Sequence, residues 1–559
     1  MPEESLQPSR REFLGQAGVV SAVTLAAGAI GIDPLVRGDH AQALAAESAG
    51  AHQRAAECAK IRRDAAQAGL KETIPNLQHP NNGDEERYPQ KIANFSKGLP
   101  HNADGIVLLS AYTAMLKALD GGNAADFDEI TMGGNLRLTD PQAGLAFDLE
   151  GPDSHALVQP PAPAFASREQ AAEISENYWM ALLRDVPFAE YSANPGANVA
   201  AADLSIYGAD FKGPKSNGSV TAATLFRGLT PGDVQGPLLS QFFYQQCYFG
   251  ANVLEQQIRT PAAGIDYLTD FDSWLAVQRG YLPPSASLAG PPHFIRDGRD
   301  LAHWVHIDVL FQAYFMGFLV LAGLNAPVDD GNPYKHNQTQ DGFGTFGGPH
   351  IASLLCEVAG RALKAVWYQK WFVHRRLRPE VYAARIHHTL YGSAGFPVPT
   401  DILNSLSSGT RLGGYVPAGN ALLPLAFPEG SPAHPSYGAG HATVAGACVT
   451  ILKAWFKEST RLVDFGIAPQ QPSADGLSLV PYSESDANDL TVGGELNKLA
   501  SNVALGRNIA GVHWRSDATE SLKLGEQVAI GILREQRAIY NEAFAGFTLT
   551  KFDGTVVTV

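Results

Sequence analysis

From Ala442 to Phe456 the chain reads ATVAGACVTILKAWF, small and apolar almost all the way round. A helix of that composition has no solvent face and belongs inside a larger helical body. The residues before it, Ser431-Pro-Ala-His434-Pro-Ser-Tyr-Gly438-Ala439-Gly440-His441, are rich in Gly, Pro and Ser and read as a loop. A glycine-rich turn that opens onto a helix leaves backbone N–H groups unpaired and pointing outward, a ready seat for an anion. His434 and His441, seven residues apart, flank that seat. Taken alone, Gly-Ala-Gly before a helix is also an ordinary tight turn.

Two further stretches carry the same chemistry. Lys370-Trp-Phe-Val-His374-Arg375-Arg376-Leu-Arg378-Pro379-Glu380 places Lys370, His374 and Arg378 at i, i+4 and i+8, one face of a helix. Pro379 suggests a kink or an end there. The run is otherwise apolar and aromatic (Ala365, Val366, Trp367, Tyr368, Trp371, Phe372, Val373), so its charges are expected to face a polar pocket rather than solvent. The other stretch is Arg507-Asn-Ile-Ala-Gly511-Val-His513-Trp-Arg-Ser-Asp517. Asp517 lies one helical turn after His513, where a carboxylate can orient an imidazole and keep its other nitrogen free as nucleophile or ligand. Each stretch alone is compatible with a solvated basic face or a capping carboxylate. Together they supply Lys370, Arg378 and Arg507 as three cations, the Gly440 backbone N–H, and His441 and His513: a cage for a tetrahedral oxyanion. Such a cage has two chemistries, phosphoryl transfer to His513 or stable coordination of vanadate by His513.

The rest of the chain bounds these readings. Among 559 residues 45% are apolar and 17% charged, enough for a large core. A net charge of −15 argues against nucleic acid and anionic membrane surfaces as partners. Arg10-Arg11 before the Gly/Ala-rich run Gly15–Ile32, with Ala41-Gln42-Ala43 as a small-x-small cleavage site, resembles a twin-arginine export signal over residues 1–43. That implies a periplasmic or extracellular location. The four cysteines make no zinc spacing; Cys356 and Cys448 read as core thiols, and a Cys58–Cys247 disulfide stays open. Leu310–Leu324 is too short to span a bilayer and reads as a core helix.

Periodicity predicts helices over 105–119, 168–185, 237–257, 271–280, 299–324, 349–380, 442–456 and 490–536, the last interrupted near Gly511. Hairpins are expected over 135–149 and 547–559, and loops over 192–201, 213–219, 331–348 and 395–435. The fold class is mainly α, a large single domain over 101–559 with a few short β-hairpins. Residues 44–100, polar and Ala-rich, read as an N-terminal arm on the body or on a neighbouring subunit.

Lys-x7-Arg-Pro, a Gly-His helix start, then Arg-x5-His-x3-Asp resembles the superfamily of vanadium haloperoxidases, type 2 phosphatidic acid phosphatases and bacterial acid phosphatases. Within it, Phe346-Gly-Gly-Pro-His350, Arg361-Ala-Leu-Lys-Ala-Val, Lys370–Glu380 and His434–His441 are similar to the algal and cyanobacterial vanadium-dependent bromoperoxidases, chiefly over 300–540. The resemblance implies two helical bundles, a homo-oligomer of two or more subunits, and vanadate as cofactor. It gives Lys370, Arg378 and Arg507 the equatorial oxygens, Gly440 a backbone N–H, His513 the metal, and His441 the acid–base role toward hydrogen peroxide. His434 falls where bromoperoxidases carry a second histidine and chloroperoxidases an aromatic residue. That tilts the expected halide to bromide, with iodide and chloride as further candidates and a small organic molecule as acceptor. Trp367 falls on the halide side. Asp308 and Asp517 are expected to anchor an arginine or a histidine. Ala439 departs from the family, which carries Ser there. A structural calcium ion is compatible with the family, with no ligand set to place it. The alternative is a secreted acid phosphatase with His513 as nucleophile; a non-catalytic oxyanion binder leaves the histidines without a task.

Overall fold

The computed structural model describes residues 34–73, 78–392 and 394–559. The paired arginines and the apolar run of the export signal lie outside the described residues; Ala41–Ala43 fall within the first helix. By its contacts the chain divides into a unit ending at Ala66 and a second unit, Gln67–Val559.

The first unit's described part belongs to helix α1 (Pro34–Thr73). From residue 51 it is largely exposed and laced by i,i+3 and i,i+4 pairs such as Arg54–Glu57 and Lys60–Asp64. The second unit is helical: α2 (Leu109–Gly121), α3 (Arg168–Leu182), α4 (Pro195–Ser205), α5 (Phe271–Gln278), α6 (Gly298–Ile307), α7 (Gln312–Gly323), α8 (Gly348–Tyr368), α9 (Pro379–Tyr391), α10 (Gly440–Trp455), α11 (Val492–Ile509) and α12 (Arg515–Ile539). Sheet is confined to antiparallel pairs of short strands: β1 (Cys247–Phe249) with β2 (Asn252–Leu254), β3 (Ile258–Pro261) with β4 (Leu288–His293), β5 (Gln470–Pro472) with β6 (Leu479–Pro481), and β7 (Thr548–Thr550) with β8 (Val556–Thr558).

Helix α10 is the axis of this body. Apart from His441, every one of its residues is buried. Its small residues let α12 approach closely. A methyl added at Gly446 would overlap the Leu522 carbonyl oxygen, and one at Gly525 would overlap that of Thr443. Alanine at either position would force the two helices apart. The break expected near Gly511 separates α11 from α12, with Gly511 at φ 87°.

Several elements differ from the sequence reading. Residues 84–99, assigned to the arm, enter the body: Phe95 and Leu99 are buried, and Arg375 pairs with the Glu85 carboxylate at 2.6 Å. The 135–149 hairpin is a loop with a 3-10 turn at Pro141–Leu145; its alternation reflects one side packed on α8, not strand pairing. Within 237–257, a 3-10 turn and the β1–β2 hairpin replace a helix. Residues 192–201 contain the first turns of α4, started by Asn194 as cap and Pro195 at the first turn. The 299–324 helix is two helices bent by 99° at Asp308–Phe311. No single helix among the described residues is long and apolar enough to cross a membrane. All four cysteines carry free thiols.

Candidate functional site

The predicted 349–380 helix does not run through. After α8 the backbone widens into a π turn, Gln369–His374, and stops at Arg375, which adopts φ 40°. Lys370 sits in the π turn and Arg378 caps the start of α9. The shared helical face of Lys370, His374 and Arg378 is therefore not formed. His374 packs edge-on against Tyr437, centroids 4.7 Å apart, and burial pulls its pKa down to about 3. Lys370 and Arg378 instead converge on the loop before α10.

Lys370 is fully buried. Its Nζ donates to the carbonyls of Pro435 (2.8 Å) and Ser436 (3.1 Å), two of its three donors, and lies 5.6 Å from the Trp367 ring centroid. Burial lowers its pKa well below the ordinary lysine range, aided by the Arg378 and Arg507 charges and opposed by Asp517. Arg378 donates to the carbonyls of His434 (2.8 Å) and Val512 (2.7 Å). The same guanidinium lies 2.9 Å from His434 Nδ1 and 3.0 Å from His513 Nε2. Both imidazoles have pKa values well below the usual 6.5, through burial first and then through these cations, so both are neutral acceptors.

His513 is oriented from behind. Its Nδ1 lies 2.8 Å from Asp517 Oδ2, which sets the tautomer with the lone pair on Nε2, toward the cage. Asp517 also accepts from the Trp514 backbone N–H (3.1 Å), Ser436 Oγ and Arg376 Nη1 (2.8 Å). Arg376 reaches Glu173 at 2.7 Å and Gln170 at 2.7 Å on α3. Sequence reading gave Ser436 and Arg376 no role; Arg376 sits inside the quoted basic run, but nothing local says that it, unlike its neighbours, reaches Asp517.

At the N-terminus of α10, Ala439 caps without a side-chain acceptor, and its own N–H donates to Ser521 Oγ (2.8 Å). A Cβ at Gly440 would stand 3.2 Å from Trp367 Cζ3 and 3.5 Å from Leu363 Cδ1, so glycine there lets Trp367 close over the helix start. Trp367 is held by its Nε1 donating to the Thr139 carbonyl (3.1 Å), its ring 4.8 Å from that of His434. His441 Nε2 lies 3.0 Å from Asp308 Oδ1, at the bend between α6 and α7. The His441 side chain is 25% exposed, against 2% for His513, so His441 faces the solvent side.

Arg507, on α11, donates to the Val305 carbonyl (2.8 Å), while its Nε is buried without a protein partner. The cage thus presents N–H donors, an unpaired buried guanidinium nitrogen and one imidazole lone pair. That donor set fits an oxyanion with one nitrogen ligand, not a bare cation. Among the described residues no group of three or more His, Cys, Asp or Glu side chains is placed to hold a metal ion.

The chain is similar to proteins of known family. A family profile described as the VCPO second helical-bundle domain matches residues 358–542, the stretch that holds every cage residue from Lys370 to His513. The chain is 39% identical to the vanadium-dependent bromoperoxidase of Corallina pilulifera, over 84% of this chain and 91% of that one. It is 35% identical to the vanadium-dependent bromoperoxidase of Ascophyllum nodosum, over 85% and 87%. The homohexameric structure of the second vanadate-dependent bromoperoxidase of Ascophyllum nodosum superposes with a TM-score of 0.82 at 28% identity, covering 97% of this chain and 95% of that one.

Proposed function

Because the chain belongs to the vanadium-dependent bromoperoxidases, we propose that the cage around His513 holds vanadate and that bromide is the favoured halide. The protein is a vanadate-dependent enzyme that oxidises halide with hydrogen peroxide to hypohalous acid. One observation carries the assignment of the site: Asp517 fixes a neutral His513 whose Nε2 faces Lys370, Arg378 and Arg507 inside one buried cage. No observation favours the phosphatase alternative.

Bound vanadate supplies a Lewis-acidic centre that activates peroxide without itself changing oxidation state. The protein's own groups do the rest. His513 offers its Nε2 lone pair, and Asp517 keeps the ring from turning. Arg378, Arg507 and the Gly440 N–H neutralise oxyanion charge in a dry site, where each donor counts for more than in water. Arg378, whose Nη1 lies 3.0 Å from His513 Nε2, would hold the oxygens of the bound anion beside that ring. Lys370, with one donor to spare, holds a proton toward the oxygen that the halide attacks. His441, backed by Asp308 and facing solvent, takes a proton from incoming peroxide and returns one to the leaving oxygen. The sum is one halide, one peroxide and one proton giving hypohalous acid and water. His434, neutral between Arg378 and Trp367, supports bromide as the halide. A small organic acceptor, export through the twin-arginine segment and a homo-oligomer complete the reading; the hexameric relative supports the last. Calcium receives no site.

The test is reconstitution. Vanadate-free protein given orthovanadate is expected to gain bromide- and peroxide-dependent halogenation of a dimedone-type acceptor, and phosphate to suppress that gain. Phosphomonoester hydrolysis inhibited by vanadate, without halogenation, would overturn the assignment.

Ala439 yields a second expectation. Its methyl cannot donate to an oxyanion, whereas Ala439→Ser adds a hydroxyl beside the cage. One hydrogen bond to a charged group contributes about 1.5–3 kcal/mol, so vanadate affinity is expected to rise about tenfold or more. Calorimetric titration of the vanadate-free variant checks this; unchanged affinity would show that the residue 439 side chain does not reach the anion.

A further inference from the structure

We propose that His306 is a positioning residue for Arg507, acting through the ring of Phe427; this rests on the oxyanion reading of the cage. Arg507 is the least tethered of the three cage cations. Among the described residues its hydrogen bonds come down to Nη1 on the Val305 carbonyl, with Nε buried and unpartnered. The other restraint on its guanidinium is an aromatic face: Cζ lies over Phe427, 5.3 Å from the ring centroid. Phe427 is itself buried, and His306 stacks on it with centroids 3.8 Å apart and planes 13° from parallel.

The imidazole is clamped in turn. His306 Nε2 lies 2.5 Å from Glu429 Oε1. Glu429 follows Phe427 by two residues, so one short loop carries both the ring and the carboxylate that holds the imidazole on it. Lys97, buried, donates to the carbonyls of Glu429 (2.6 Å) and Ser431 (2.5 Å) and to Glu380 (3.2 Å), which pins that loop to the body. Helix α6 supplies Val305 for the hydrogen bond and His306 for the stack on consecutive residues. Asp308, two residues further, accepts from His441. The carboxylates of Asp308 and Glu429 are the charges that favour the charged form of Arg507 against its burial.

An aromatic face attracts a desolvated guanidinium, but it aims one only if the ring itself is fixed. Phe427 has no polar group with which to fix itself; the clamped imidazole does so. With the guanidinium already aimed, less conformational freedom is lost when an oxyanion enters. His306, at 28% side-chain exposure, touches none of the reacting atoms in this arrangement.

The experiment uses the full chain, freed of vanadate, with orthovanadate and inorganic phosphate as separate calorimetric probes. His306→Ala is expected to weaken both about five- to tenfold, with the halogenation rate at saturating vanadate within about twofold of wild type. His306→Phe, which restores a flat ring on Phe427 without the acid–base group, is expected to recover most of the affinity. Vanadate affinity within twofold of wild type in His306→Ala, or no recovery in His306→Phe, overturns the positioning role. Wild-type protein that binds neither anion overturns the oxyanion reading first, and this inference with it.

Discussion

Replacing His513 with alanine is expected to reduce bromide oxidation by a thousandfold or more, even with vanadate in excess. The expectation follows from what the cage loses and what it keeps. The Nε2 lone pair of His513, on a ring held by Asp517 and beside the Arg378 guanidinium, is the acceptor deepest in the cage. Lys370, Arg378, Arg507 and the start of α10 remain, so a tetrahedral anion still finds its counter-charges. Phosphate binding is therefore expected to weaken far less than vanadate binding, because phosphate uses the cations and vanadate also uses the imidazole. Groups that act as a unit lose most of their effect when one is removed. Paired calorimetric titrations with the two anions and a halogenation assay make the measurement. Equal weakening of both anions would place His513 among the general contacts rather than as the metal ligand.

The second large effect belongs to Asp517. It accepts from His513 Nδ1, the Trp514 N–H, Ser436 Oγ and Arg376 Nη1, and its side chain is wholly buried. Asp517→Ala leaves the Arg376 guanidinium with Glu173 and Gln170 alone and strips the one carboxylate whose field favours the charged forms of both Lys370 and Arg378. Breaking a buried charge pair on one side costs about 3–5 kcal/mol, read as a lowered midpoint in guanidinium unfolding. Asp517→Asn separates the two roles. It keeps the shape, so more of the stability survives, but the neutral amide no longer imposes the Nδ1–H tautomer on His513, and vanadate affinity is expected to fall with the alanine variant's. An Asn variant that binds vanadate like wild type would show that the carboxylate serves the fold and not the ligand.

Much of the site is legible in the chain because its parts are local. Gly440-His441 opens a helix, His513 and Asp517 stand one turn apart, and the aromatic run around Lys370 marks it as buried; none of these needs a distant partner to be recognised. Helices α3, α5, α10 and the α11–α12 pair are legible because they carry strong periodicity or uniform apolarity together with a cap or a glycine break. Two of the differing segments share one cause. Segment 349–380 has helical periodicity throughout, yet the backbone leaves the α-helix at Gln369, where Lys370 reaches the Pro435 and Ser436 carbonyls. Segment 299–324 is apolar enough for one helix, but it turns by 99° where Asp308 meets His441. In both places a long-range polar contact outweighs local propensity.

By itself the sequence determined the mainly helical class, the buried central helix, and the cations and histidines of one oxyanion cage, because composition and short spacing act through the nearest turns. The tertiary structure alone decided which side chain meets which. It gave Arg376 and Ser436 to Asp517, Asp308 to His441, and the ring of Phe427 to Arg507 and His306. Those pairings join residues as much as about 140 positions apart, and their geometry exists only once burial has excluded water and left each polar group to be satisfied by whatever the packing brings near.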